Sequence, residues 1–267
     1  MSGQGGAAGR WGDLTARVLS GIVLAAAGLG AVWAGGYIFI TFVSIATGLI
    51  VWELTRMMPP DVRPRSVAMG LLAGGAAFLA IYLKAGFALP ILLVPAIIGF
   101  FWLPEHRRVF VPFLIFILMA SFGMMSVRNE FGFPWMAWLV LVVAGTDIAG
   151  YFAGRIFGGP KFWPRISPKK TWSGTAAGWV VAMAVGWLFM PITGAGAWLI
   201  WLSALAAFAS QLGDIAESAV KRRAGVKDSS ALIPGHGGLF DRFDGMLGAA
   251  ILVLVIMQLT GYPPGPV

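Results

Sequence analysis

Nine apolar stretches divide this chain, at 18–34, 37–54, 67–84, 87–103, 109–126, 134–152, 175–193, 197–214 and 245–261. Each approaches the about 20 apolar residues that a helix needs to cross the hydrocarbon of a bilayer. In that solvent every backbone polar group must be satisfied within the protein, and a helix does so within its own segment. Hydrophobic residues make up 58% of the chain and charged ones only 11%, where soluble domains carry about 25%. The expected fold is therefore all-α, a polytopic integral membrane protein of about nine transmembrane helices. Only Gly35 and Gly36 separate the first two stretches, so that boundary is the weakest. Pro90, Pro95 and Pro112 lie inside stretches, and membrane helices tolerate proline where neighbours satisfy the freed backbone groups. The absence of cysteine excludes disulfides and thiolate metal sites.

Basic residues orient the spans. With nine spans and a cytoplasmic N-terminus, all of the 19 lysines and arginines except Lys84 and Arg128 fall on the cytoplasmic side. The formal net charge of +8 then reads as loops facing anionic headgroups and an anionic substrate rather than nucleic acid. Residues 1–17 are glycine-rich and read as a flexible tail. Residues 18–133 read as ordinary membrane helices with short basic loops. Residues 134–261 hold two long cytoplasmic loops of unusual composition, and 262–267 form a C-terminal tail. One membrane domain is expected, without an internal repeat.

Three polar clusters share the cytoplasmic side. The first, TDIAGYFAGRIFGG, places Asp147 at the end of an apolar stretch, with Gly150 and Gly154 spaced for close helix packing. Packing does not account for the carboxylate, which needs a partner at that depth. The second, ISPKKTWSGT, carries Lys169 and Lys170, point charges suited to phosphate. Ser173 or Thr175 could cap the helix that follows, and a helix N-terminus offers free N–H groups to an anion. The bland alternative is that these lysines only hold the loop at the interface.

The third cluster is the densest. Asp214, Glu217, Ser218 and Lys221 share one helical face, where Glu217 and Lys221 could form an i, i+4 ion pair. The run GVKDSSALIPGHGGLFDRFDG adds Lys227, His236, Gly237, Gly238, Asp241, Arg242 and Asp244. His236, set among glycines, is either structural or a direct substrate contact, because such a loop lets backbone approach a phosphate closely. His106, beside Arg107 and Arg108, reads as interfacial. Asp241 and Asp244 suit the positive end of the last helix. Three carboxylates near phosphate-binding basic groups fit a hard cation better than a set of caps, and Mg²⁺ commonly uses one or two carboxylates plus substrate phosphates.

The order S-x-x-K-R, K-D, P-G-H-G-G, D-R-x-D, from Ser218 to Asp244, resembles the signature of phosphatidate cytidylyltransferases (CDP-diacylglycerol synthases). The resemblance covers roughly residues 140–250, and only hydrophobic character extends it to the first half. Ser167–Thr171 and the pair Thr146, Asp147 also look like family elements. The resemblance implies a divalent-metal centre at Asp214 and Asp241 with Asp244 beside it, and possession of a second metal ion is open. It implies phosphate-holding roles for Lys221, Arg222 and Lys227. The implied reaction joins CTP and phosphatidate to give CDP-diacylglycerol and pyrophosphate, in a bacterial inner (plasma) membrane with the site on the cytoplasmic face. A homodimer among membrane lipids is the family expectation.

Rival readings are separable. CDP-alcohol phosphotransferases carry a D-G-x-x-A-R pattern that is absent here. A cytidylyltransferase for another lipid phosphate, or a polyprenol kinase, would use the same metal and phosphate chemistry. A transporter would place its charges near the bilayer centre on broken helices, whereas here they gather in loops and at helix ends.

Overall fold

The apolar stretches fold into helices. The computed structural model describes residues 6–58, 60–83, 85–235 and 237–261. The chain runs through α1 (Gly6–Ala34), α2 (Gly36–Arg56), a 3-10 turn (Pro60–Arg65), α3 (Ser66–Ala80), α4 (Ala85–Trp102) and α5 (Arg107–Ile156). A short hairpin of β1 (Lys161–Trp163) and β2 (Ser167–Thr171) follows, then α6 (Trp172–Thr193), α7 (Trp198–Arg223) and α8 (Phe240–Thr260). Among the described residues, five helices (α2, α5, α6, α7 and α8) are long and apolar enough to cross a membrane.

Several boundaries differ from the sequence reading. Helix α1 begins at Gly6, inside the segment read as a tail, while 1–5 and 262–267 lie outside the described residues. Helix α3 has 15 residues, because the chain leaves it in a turn where Tyr82 and Leu83 donate to the Leu79 and Ala80 carbonyls. Helix α5 is 50 residues long, but Gly132 (φ 80°, ψ −168°) breaks it into two arms that match the stretches 109–126 and 134–152. A side chain disfavours that backbone conformation and glycine does not. The β1–β2 hairpin is the exception to the all-α expectation.

Small residues let particular helices touch. A Cβ on Gly213 of α7 would collide with the Asp244 carbonyl oxygen of α8, and one on Gly248 with the Ala209 carbonyl oxygen. A Cβ on Gly174 of α6 would stand 2.5 Å from the Gly150 oxygen of α5, and one on Gly178 2.8 Å from Thr146 Cγ2. Backbone approach of this kind is the usual membrane-helix interface. Here it carries Asp214 to Asp244 and Asp147 to the start of α6.

The two ends of the bundle differ in chemistry. At one end, Arg128 of α5 donates from Nε to the Val32 carbonyl (2.7 Å) and from Nη2 to the Trp33 carbonyl (3.1 Å). It thus satisfies carbonyls that the last turn of α1 leaves open. The other end gathers the C-termini of α2 and α7, the hairpin and the N-terminus of α8.

Candidate active site

Helix α7 runs past its apolar stretch to Arg223, and this polar extension carries the face expected from spacing. Ser218 Oγ donates to Asp214 Oδ1 at 3.3 Å, and Lys221 Nζ lies 2.5 Å from Glu217 Oε2. Lys221 also reaches across to α8, where it donates to Asp241 Oδ1 at 2.6 Å. Asp241 Oδ2 accepts from the Ser229 amide (2.9 Å), the Ser229 hydroxyl (3.0 Å) and the Gly238 amide (2.8 Å). Asp241 therefore holds both Lys221 and the loop before α8.

Asp214, Glu217 and Asp244 form a separate group. One carboxylate oxygen from each lies within 4.8 Å of the others. Glu217 is 1% exposed; the Lys221 ammonium meets its Oε2, and its Oε1 has no hydrogen-bond partner. A buried carboxylate oxygen without a donor is costly, and three converging carboxylates repel. An oxygen-ligated cation such as Mg²⁺ would relieve both costs. These residues thus fit a metal. The cluster differs in one member from the set implied by the resemblance: Glu217 joins Asp214 and Asp244, while Asp241 faces Lys221 and Ser229.

Beside this cluster opens a cleft of about 380 Å³ between α5, α6, α7 and the hairpin, lined in part by Asp147, Lys169, Lys170, Thr171, Gln211 and Asp214. The hairpin register pairs Lys161 with Thr171 and Trp163 with Ser167. Lys169 is exposed and Lys170 half-buried. Lys170 Nζ lies 2.5 Å from Asp214 Oδ2 and 3.4 Å from the Gln211 carbonyl. Gln211 is fixed in turn, accepting from Trp179 Nε1 at 3.0 Å and donating to the Thr175 carbonyl at 3.3 Å.

The cap of α6 corrects the sequence reading. Thr171, not Ser173 or Thr175, is the N-cap, and its Oγ1 accepts from the Gly174 amide at 3.2 Å. The helix starts at Trp172 because β2 delivers Thr171 in an extended conformation (φ −117°, ψ 155°). Ser173 Oγ instead donates to the Gly158 carbonyl.

One residue escaped the sequence reading. Glu53, in the last turn of α2, is fully buried and collects four donors from the far end of the chain. They are the hydroxyls of Ser229 (3.0 Å) and Ser230 (2.6 Å) and the amides of Leu239 (2.9 Å) and Phe240 (2.7 Å). Leu239, the N-cap of α8, has no side-chain cap of its own. Glu53 supplies that function from another helix, and a carboxylate suits a helix N-terminus. A Cβ on Gly238 would stand 2.6 Å from Glu53 Oε1, and Gly237 takes φ 81°. The available signal was a lone acid at the end of an apolar stretch.

The remaining predicted residues spread around this core. Arg222, Lys227 and Arg242 are exposed, and Arg222 Nη1 lies 3.5 Å from the Val226 carbonyl. His236 lies outside the described residues. The structure therefore brings Asp147, Lys170, Asp214, Ser218, Lys221, Asp241 and Asp244 to one end of the bundle, with Glu217 and Glu53 added.

Comparison with known proteins bears on the family. A sequence profile described as "Cytidylyltransferase family" matches residues 15–260. The chain is 37% identical over 268 residues to the phosphatidate cytidylyltransferase of Brucella suis biovar 1, covering 95% of this chain and 97% of that protein. It is 38% identical over 144 residues to the phosphatidate cytidylyltransferase of Mycobacterium tuberculosis strain H37Rv, covering 53% of this chain and 44% of that one. The protein of the same name from Bacillus subtilis is 39% identical over 138 residues, 50% of this chain and 51% of that one.

Proposed function

The chain belongs to the cytidylyltransferase family, and from that premise we propose that it converts CTP and phosphatidate to CDP-diacylglycerol and pyrophosphate. The observation that carries the reading is the convergence of Asp214, Glu217 and Asp244, with Glu217 buried and its Oε1 without a hydrogen-bond partner, beside a lysine-bearing cleft. Such a site suits the meeting of two polyanions.

Phosphatidate carries a phosphate monoester whose second pKa is about 6, so it is mostly a dianion at neutral pH. Its oxygen attacks the α-phosphorus of CTP. The new P–O bond forms there, and the bond from the α-phosphorus to the bridging oxygen breaks. The electron pair leaves with pyrophosphate. No general base is required, so the protein's work is to position the two substrates and offset their charge. A Mg²⁺ held by Asp214, Glu217 and Asp244 would neutralise phosphate charge and stabilise the leaving group. Lys170 offers its ammonium from the cleft wall. Lys221, held by Asp241, offers a second. Asp147 polarises the cleft opposite Lys170. The Glu53 bonds keep the loop and the start of α8 in register with α7.

We place the protein in a bacterial inner membrane as nine spans, with the N-terminus and the site cytoplasmic and as a homodimer. The two arms of α5 count as separate spans in this topology, and the basic residues of the site end support the orientation. Arg128 is explained without a cytoplasmic location, since the end of α1 consumes it. The test is formation of pyrophosphate and CDP-diacylglycerol from CTP and phosphatidate in detergent micelles, with Mg²⁺ or with EDTA. Product that requires Mg²⁺ and vanishes in Asp214→Asn supports the reading. No product from folded wild type with several lipid phosphates overturns it.

A further inference from the structure

A second cavity at the same end of the bundle shares no lining residue with the reaction cleft. It has a volume of about 800 Å³ and lies where α2, the 3-10 turn, the start of α5 and the end of α7 meet. Arg56, Arg63, Arg107, Arg108 and Arg223 line it, and Glu105 is its one carboxylate. Among the described residues none of these five guanidinium groups is ion-paired with a carboxylate. Like charges brought together from three parts of the chain repel, and Glu105 is the one carboxylate in the cavity lining to set against five guanidinium groups.

Two of the arginines are held in place. The Arg56 guanidinium lies over the Trp52 ring, 4.9 Å from its centroid, and that of Arg107 over Phe100 at 4.7 Å. Stacking fixes the plane of the group and leaves its N–H edge to bond an oxyanion. The N-terminus of α5 opens on the same cavity without a side-chain cap from His106. Its positive end and unsatisfied N–H groups add to the attraction. Met57 and Met58, both buried, contribute apolar wall.

We propose that this cavity is a second anion site, built for a phosphate-bearing molecule at the membrane interface and distinct from the cleft where the reaction occurs. Planar, fork-shaped guanidinium donors match phosphate oxygens in pairs. Two sources present that chemistry, the headgroup of an anionic phospholipid and a free phosphate such as pyrophosphate. Helix α7 connects the two sites, since Lys221 faces Asp241 and Arg223 faces the cavity. The site rests on residues outside the proposed reaction, so it stands or falls separately from that reading.

The test uses the full chain, delipidated in neutral detergent, as wild type, Lys170→Ala, and the triple variant Arg63→Gln, Arg107→Gln, Arg108→Gln. One arm measures phosphatidylglycerol retained from phosphatidylcholine nanodiscs by native mass spectrometry. The other measures binding of radiolabelled inorganic pyrophosphate by equilibrium dialysis. A loss of about tenfold or more in the triple variant is expected, with retention in Lys170→Ala. That pattern in the lipid arm identifies a headgroup site, and in the pyrophosphate arm a free-phosphate site. Product formation by the triple variant in neutral micelles stays at the wild-type level. If the triple variant does not fold, Arg108→Gln alone decides, with an expected loss of about fivefold. Binding in both arms that is unaffected by the arginine substitutions overturns the proposal.

Discussion

Two glutamates, each almost wholly withdrawn from solvent, occupy opposite situations in this protein. Glu53 is 0% exposed and accepts four hydrogen bonds that tie α2 to the loop and to α8. Glu217 is 1% exposed, meets the Lys221 ammonium at Oε2, has no partner at Oε1, and faces two further carboxylates. A buried charge with its donors in place is a structural rivet. A buried charge with one oxygen unpartnered and two acids beside it is a site for a positive partner that the protein does not supply in full. Their contrast separates the residues that shape the active end from those that work in it.

Removing a member of the converging acidic group should change chemistry and leave the fold intact. Asp244→Asn is expected to lower the rate of CDP-diacylglycerol formation by about 10²–10³-fold. Its unfolding temperature without metal should equal or exceed that of wild type, because one of three repelling charges is gone. An unfolding temperature well below wild type would place Asp244 with Glu53 among the rivets.

The reverse is expected at Glu53. Glu53→Ala strands the Ser230 hydroxyl and two amides, each at about 1–3 kcal/mol, while the Ser229 hydroxyl keeps Asp241 as its acceptor. A loss of about 3 kcal/mol or more should follow, read by denaturant unfolding in detergent. Stability within experimental error of wild type would erase the distinction between the two glutamates.

Metal affinity sharpens the comparison further. Mg²⁺ should raise the unfolding temperature of wild type, and Glu217→Gln should weaken apparent Mg²⁺ affinity by about 10–100-fold. Glu53→Gln should leave it unchanged. Asp241→Asn discriminates between the two candidate ligand sets. If it weakens Mg²⁺ more than Glu217→Gln does, the carboxylates implied by the family resemblance hold the metal.

The smallest effect belongs to the far end of the bundle. Arg128→Ala removes two bonds to the end of α1 and should cost about 1 kcal/mol. Measured turnover should not change, since no residue of the cleft touches it.

Local patterns were legible because the forces behind them are local. The i, i+4 spacing placed Asp214 beside Ser218 and Glu217 beside Lys221, and both contacts form. Turn-scale detail was harder. The α6 cap fell to Thr171, because strand pairing decided which hydroxyl arrived in an extended conformation. Glu53 was illegible as a partner of Ser230 or Phe240, which lie most of the chain away. Its isolation in an apolar stretch marked it as unusual but could not say what it meets.

By itself the sequence determined that this chain forms apolar helices, and that acids and lysines of its second half concentrate in loops and at helix ends. Composition and periodicity suffice for this, since the bilayer penalises every alternative. Only the tertiary structure decided which acids converge. Gly213 against Asp244 and Gly150 against Gly174 set helix distances at the scale of one missing Cβ. That approach put Glu217 with Asp214 and Asp244, and left Asp241 to hold Lys221.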